Sequence, residues 1–140
     1  MNRKVYNTLA AIGLFAMLAA PVIQAQSNAL VANIPFQFSV GKATLPSGEY
    51  RIKSVNDSTL MIRSKDGHQG ALAMTVVVTS PQSGNTGKLV FNRYGAQYFL
   101  SKVLPPGNPM GRELLKSRTE LEVAKNTSGP EATTVAIKTP

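Results

Sequence analysis

The chain has 140 residues, of which 43% are hydrophobic and 16% charged, with no cysteine and a formal net charge of +8. That length allows one domain with its own core. The lack of cysteine excludes disulfides and thiolate metal sites. The excess of Lys and Arg favours anionic partners such as acidic polysaccharide, lipid headgroups or nucleic acid, and also serves solubility.

The first residues have the form of a secretory signal peptide. Arg3 and Lys4 make a positive end, residues 9–20 are an unbroken apolar or small run, and Pro21 ends it. A run of that length fits a signal core of about 7–15 residues. It is too short for a membrane-spanning helix, which needs about 20. Pro21 disfavours a cut after Ala20, so cleavage is expected between Ala25 and Gln26. Residues 26–140 are then a single β-rich domain, ordered over about 30–125 and followed by a loop and a last strand at 133–138. No cysteine follows the cut to carry a lipid, so the mature chain is expected to be secreted or periplasmic, with no membrane span.

From Ile34 the hydrophobic period is two, the strand signature. Ile34, Phe36, Phe38 and Val40 alternate with polar residues and Pro35, as one strand that the proline places at a sheet edge or strand start. Gly41-Lys42 and Pro46-Ser47-Gly48 are turns on either side of a short extended piece. Residues 49–55 and 59–64 form a hairpin around Asn56-Asp57-Ser58, with Ile52 opposite Ile62 and Ser54 opposite Leu60. After an Asp66-Gly67 turn, residues 71–79 carry Leu72, Met74, Val76 and Val78 on one side and Ala71, Ala73 and Val77 on the other. Such a pattern predicts a central strand buried on both faces.

Residues 80–87 read as a loop. Residues 88–94 and 97–103 form a second hairpin that turns at Tyr94-Gly95 and pairs Phe91 with Tyr98 and Leu89 with Leu100. Residues 104–111 hold three prolines and two glycines, which excludes a regular element. Ser117-Arg118-Thr119-Glu120 is a capping-box sequence. It predicts a short helix to Lys125 that packs Leu121 and Ala124. The expected fold is all-β, an antiparallel sandwich or flattened barrel of about seven strands with one short helix.

Three segments carry a resemblance: Ile34-Pro35-Phe36-Gln37-Phe38-Ser39-Val40-Gly41, Leu45-Pro46-Ser47-Gly48-Glu49-Tyr50, and Arg93-Tyr94-Gly95-Ala96-Gln97-Tyr98-Phe99-Leu100, followed by Ser117-x-x-Glu120. Their order resembles a family of small exported bacterial proteins that open with IPFxFxVG and LPxGxY. The resemblance covers about residues 32–125 and implies an exported location without implying an activity. Leu-Pro-x-Gly-x-Tyr is also similar to a turn-to-strand step of prealbumin-like and carboxypeptidase-regulatory-like β-sandwiches. There Pro46 fixes φ, Gly48 takes a positive φ and Tyr50 enters the core.

No catalytic, metal or cofactor site is expected. His68 is the one imidazole. Its place in an Asp66-Gly67-His68 turn near Ser64 suggests a triad only superficially, because a turn histidine is ordinarily exposed and unpartnered. Glu120 and Glu122 are two apart on a helix and face different ways. No glycine-rich stretch has the form of a phosphate loop.

One constellation suggests binding. Arg51, Lys53 and Arg63 fall on the outer face of the first hairpin, with Lys65 and Lys42 nearby and Glu49 diluting them. This stripe suits an anionic polymer, although edge protection and solubility explain it more simply. Tyr94 and Tyr98 flank a turn where they could stack on sugars, but pairing with Phe91 makes Tyr98 a core residue. The expected function is a non-catalytic binding or structural role in the cell envelope. Its partner would be an anionic polysaccharide or another envelope protein, and not nucleic acid. The alternatives are a lipocalin-like barrel for a small apolar ligand and an anionic-polysaccharide-binding module.

Overall fold

The structure is a computed structural model that describes residues 29–80 and 85–138. The export signal with its Ala25–Gln26 boundary and the middle of the 80–87 loop lie outside the described residues. Among the described residues ten strands form: β1 Leu30–Ile34, β2 Phe38–Val40, β3 Ala43–Leu45, β4 Gly48–Asn56, β5 Thr59–Ser64, β6 Gly70–Thr79, β7 Lys88–Tyr94, β8 Gln97–Leu104, β9 Met110–Leu114 and β10 Glu131–Lys138. Among the described residues one helix, α1 (Arg118–Lys125), lies between β9 and β10.

Eight strands close into an antiparallel barrel. Its circular order is β8-β7-β10-β1-β4-β5-β6-β9, and β9 returns to β8 through Lys102↔Glu113 and Val103↔Arg112. The remaining two strands, β2 and β3, form a hairpin that joins β8 by one parallel bridge between Ser39 and Phe99. The fold is thus a barrel and not a sandwich, with ten strands where about seven are expected. The last strand is an integral stave, held by β7 on one side and β1 on the other.

Alternation along the staves sends one set of side chains inward. Ala32, Tyr50, Ile52, Ile62, Leu89, Phe91 and Ile137 are buried and belong to one continuous core with Phe38, Val40 and Leu45 from the β2–β3 hairpin. Aromatic edges meet there. Phe38 contacts Tyr50 and Phe91 with ring centroids 5.1 and 5.6 Å apart, and Phe36 meets Phe91 at 5.0 Å. The interior is filled with rings and aliphatic groups.

The expected 34–40 strand divides at Pro35, because a residue without an N–H ends the β1 ladder. Ile34, Phe38 and Val40 remain buried, with Phe36 half-buried. The first hairpin keeps its expected register, Ile52 with Ile62 and Ser54 with Leu60, and a bulge at Val55 leaves a two-residue turn. Asn56 Oδ1 closes that turn by accepting from the Ser58 N–H.

The second hairpin differs. Gly95, at φ +61°, and Ala96 make a two-residue turn, so Phe91 pairs with Leu100, Arg93 with Tyr98 and Leu89 with Val103. The partners differ while each residue keeps its face. Residues 104–111 do not stay irregular either. β8 runs on to Leu104 and β9 starts at Met110. Gly111 permits this crossing, since a Cβ there would lie 3.0 Å from the Val103 carbonyl oxygen and closer still to the Leu104 side chain.

Phe91→Ala is expected to cost about 3–5 kcal/mol in urea unfolding, as large core truncations do. Leu72→Ala, on the outward face of β6, is expected to stay within about 0.5 kcal/mol.

Candidate binding surface on the barrel wall

The turn chemistry of β4 and β5 positions the basic stripe. With the hairpin register fixed by the Asn56 turn, Arg51 lies directly opposite Arg63 and Lys53 opposite Met61. Arg51 also faces Val31, whose other neighbour is Lys138, so a row runs Lys138–Val31–Arg51–Arg63 across four staves. All four of Arg51, Lys53, Arg63 and Lys138 are exposed. The ion pair found among the described residues, Arg118 with Glu122 at 4.0 Å, involves none of them. Two like charges directly opposite on neighbouring strands are destabilising.

Edge protection does not account for the stripe. β4 is paired to β1 and β5, and β5 to β4 and β6, so neither strand offers an edge. Lys65 follows β5 in a turn, where its N–H donates to the Glu49 carbonyl at 3.0 Å. Lys42 lies elsewhere, in the β2–β3 turn beside β6. Arg112 belongs to the barrel end: its guanidinium donates to Ser54 Oγ, Thr75 Oγ1 and the carbonyls of Asn56 and Asp57, tying β9 to the first hairpin.

β6 departs most from expectation. Ala73 and Thr75 point inward and are buried, but Leu72, Met74 and Val76 point outward and are exposed. An apolar pattern on both faces therefore does not mean cover on both faces here. Leu115, just after β9, is exposed beside Met74, to whose carbonyl its N–H donates at 3.1 Å.

Elsewhere the outer wall is covered by α1. Ser117 caps the helix by accepting from the Glu120 N–H at 3.1 Å, as the sequence predicts. The docking residue is not Leu121, which stays exposed, but Glu120, which is buried. Its carboxylate accepts from Asn92 Nδ2 at 2.9 Å and from the Tyr94 hydroxyl at 3.1 Å, both on the outer face of β7. A short helix with one buried carboxylate gains more from two good donors than from an exposed leucine. Tyr94 is consequently buried, and its ring meets Phe99 edge-on at 5.7 Å. Tyr98 is half-buried and stacks on Phe36 at 3.9 Å, with the Arg93 guanidinium over its ring. Neither tyrosine forms an exposed stacking pair.

The Asp66 turn is a self-contained network. Ser64 Oγ donates to Asp66 Oδ1 at 2.5 Å, the His68 N–H donates to the same oxygen at 3.0 Å, and the Gln69 N–H donates to Ser64 Oγ. The Ser64 hydroxyl, followed by the His68 N–H, holds the Asp66 carboxyl below the usual carboxylate range. His68 enters through its backbone N–H, and Ser64 and Asp66 close the turn. Among the described residues no three His, Cys, Asp or Glu side chains converge as a metal site. Comparison with protein-family models, with curated proteins and with solved structures finds no match.

Two buried phenols set an alkaline limit. Burial, then the Asp66 charge, pushes Tyr50 above the ordinary 10.0; burial, then the Glu120 charge and hydrogen bond, does the same for Tyr94. A raised folded-state value means the stabilisation is complete below pH about 10 and is lost as pH rises past it. The urea midpoint should hold up to about that pH and fall above it, and Tyr94→Phe should make the fall shallower.

Proposed function

We propose that this chain is an exported, non-catalytic β-barrel that binds an anionic component of the cell envelope through its outer wall. The observation that carries this reading is the directly opposed Arg51–Arg63 pair, exposed and extended by Lys53 and Lys138. Like charges held face to face weaken the sheet, and neither strand has an edge to protect. An anionic ligand turns that repulsion into attraction. Acidic polysaccharide and acidic envelope proteins both have the required chemistry.

The signal-like N-terminus and the resemblance to small exported proteins support the envelope location. The filled interior favours the wall over the lumen. A lipocalin-like barrel has the same closed architecture but keeps space for its ligand, whereas Phe38, Tyr50 and Phe91 occupy this one. The inward apolar and outward charged pattern is also the reverse of a membrane-spanning barrel.

Retention on immobilised heparin, used as a generic sulfated polysaccharide, tests the reading. Retention is expected to fall steeply with salt, because binding displaces counterions from the polyanion. The triple variant Arg51→Gln, Lys53→Gln, Arg63→Gln should elute near the void with stability changed by no more than about 0.5 kcal/mol. Retention of that variant equal to the parent, or no retention of the parent, contradicts the reading.

A further inference from the structure

We propose that the outward face of β6 docks the protein onto an anionic lipid surface, with the basic residues beside it engaging the headgroups. The inference rests on the wall-binding reading and adds an apolar component to it. Leu72, Met74 and Leu115 are 63%, 65% and 54% exposed and lie side by side, since Met74 and Leu115 share a backbone hydrogen bond. Isolated exposed hydrophobes are ordinary, but a contiguous group of them marks an interaction surface. β6 is hydrogen-bonded to β5 and β9 on its two sides, so this face offers side chains and no strand edge.

Cations border the face on both sides. Toward β5, Met61 is the direct partner of Leu72 and Lys53 the direct partner of Met61, while Arg63 shares a shallow groove with Met61 and Leu72. Toward the β2–β3 turn and the start of α1, an open groove of about 470 Å³ runs past Leu72, Met74 and Leu115 with Lys42 and Arg118 on its rim. Among the described residues no carboxylate lines either groove, and Arg118 on the rim is paired with Glu122 at 4.0 Å. Glu113 flanks only the far end, opposite Val76, where it is also the partner of Lys102.

This combination of charge and apolar surface selects the occupant. A polysaccharide would satisfy the cations and leave Leu72 and Met74 in water. A second copy would bring a basic rim against a basic rim. An anionic bilayer matches both components: leucine and methionine enter the boundary between headgroups and acyl chains, and lysine and arginine remain at the negative surface. Long side chains let the cations reach headgroups while their stems lie on apolar surface.

Co-sedimentation of the exported chain with vesicles is the test, using equal parts phosphatidylglycerol and phosphatidylcholine against phosphatidylcholine alone. Binding is expected only to the anionic vesicles and should weaken with salt. Leu72→Ser with Met74→Ser should reduce vesicle binding about a hundredfold, the scale of two exposed apolar groups removed from water. Its heparin retention should be unchanged. Leu115→Ser, outside the barrel strands, provides a second variant, with an expected loss of about tenfold for its one group.

Vesicle binding that survives both apolar variants overturns the proposal, as does failure to bind vesicles. With heparin retention intact, such a failure leaves the wall-binding reading standing; loss of both removes the two together. A dimer that Leu72→Ser and Met74→Ser dissolve would assign the face to a second copy and overturn the lipid assignment. Binding confined to an acidic protein would do the same.

Discussion

The pairing of β10 between β7 and β1 is the constraint on which the rest of the fold depends. Ile137 lies opposite Ala32, and Val135 opposite Leu89, so the C-terminal strand joins the first strand to the centre of the chain. Without it β7 and β1 would each expose a ladder of unpaired N–H and C=O groups, and the core would open between them. Closure at β8–β9 completes the ring on the other side. A closed sheet of eight staves has an interior only wide enough for side chains or one small ligand. Here the β2–β3 hairpin adds Phe38, Val40 and Leu45 to that interior.

Once the ring is closed and filled, the outer wall is the surface on which sectors can differ. Over β7 the wall is covered: α1 docks through Glu120 on Asn92 and Tyr94, and the Tyr94 ring packs on buried Phe99. Over β6 it is apolar and uncovered, and over β4 and β5 it is basic. One helix of eight residues covers one sector and leaves the next open. The adjacency of an uncovered apolar sector and a basic sector follows from strand order, since β6 is the neighbour of β5 and β5 of β4. A local hairpin register thereby sets a surface with two kinds of chemistry side by side.

Much of this was legible in the sequence, and the gaps have physical causes. Period-two alternation placed β4 to β8 closely. The Asn56 side chain closes its own turn, so the first register could be read from local chemistry. The second hairpin's register differs from the expected one by two residues because Gly95 can begin a two-residue turn as readily as end a different one. A shift of two preserves the faces, so Phe91 was still placed inward. β9 was hidden because its first residues adjoin three prolines, and because Gly111, which looked like a breaker, is the residue that lets two backbones approach.

Whether β6 is covered depends on where a distant helix docks, which its own residues do not encode. Glu120 was recognised as half of a capping box; its acceptance from two β7 side chains is a tertiary fact. The basic stripe was legible by position, whereas its freedom from edge duty required the order of all eight staves.

Ring closure at the β8–β9 seam is the claim that supports the filled interior and the exposed β6 wall together, and a disulfide tests it most directly. The chain has no cysteine of its own, so Lys102→Cys with Glu113→Cys introduces a single pair. Direct cross-strand partners stand about 4.5–5.5 Å apart at Cα, within the range a disulfide spans. Closure predicts that this pair oxidises to an intramolecular disulfide in high yield, with the circular dichroism spectrum unchanged. A pair that stays reduced, or links only between molecules while the protein remains folded, would contradict a closed barrel.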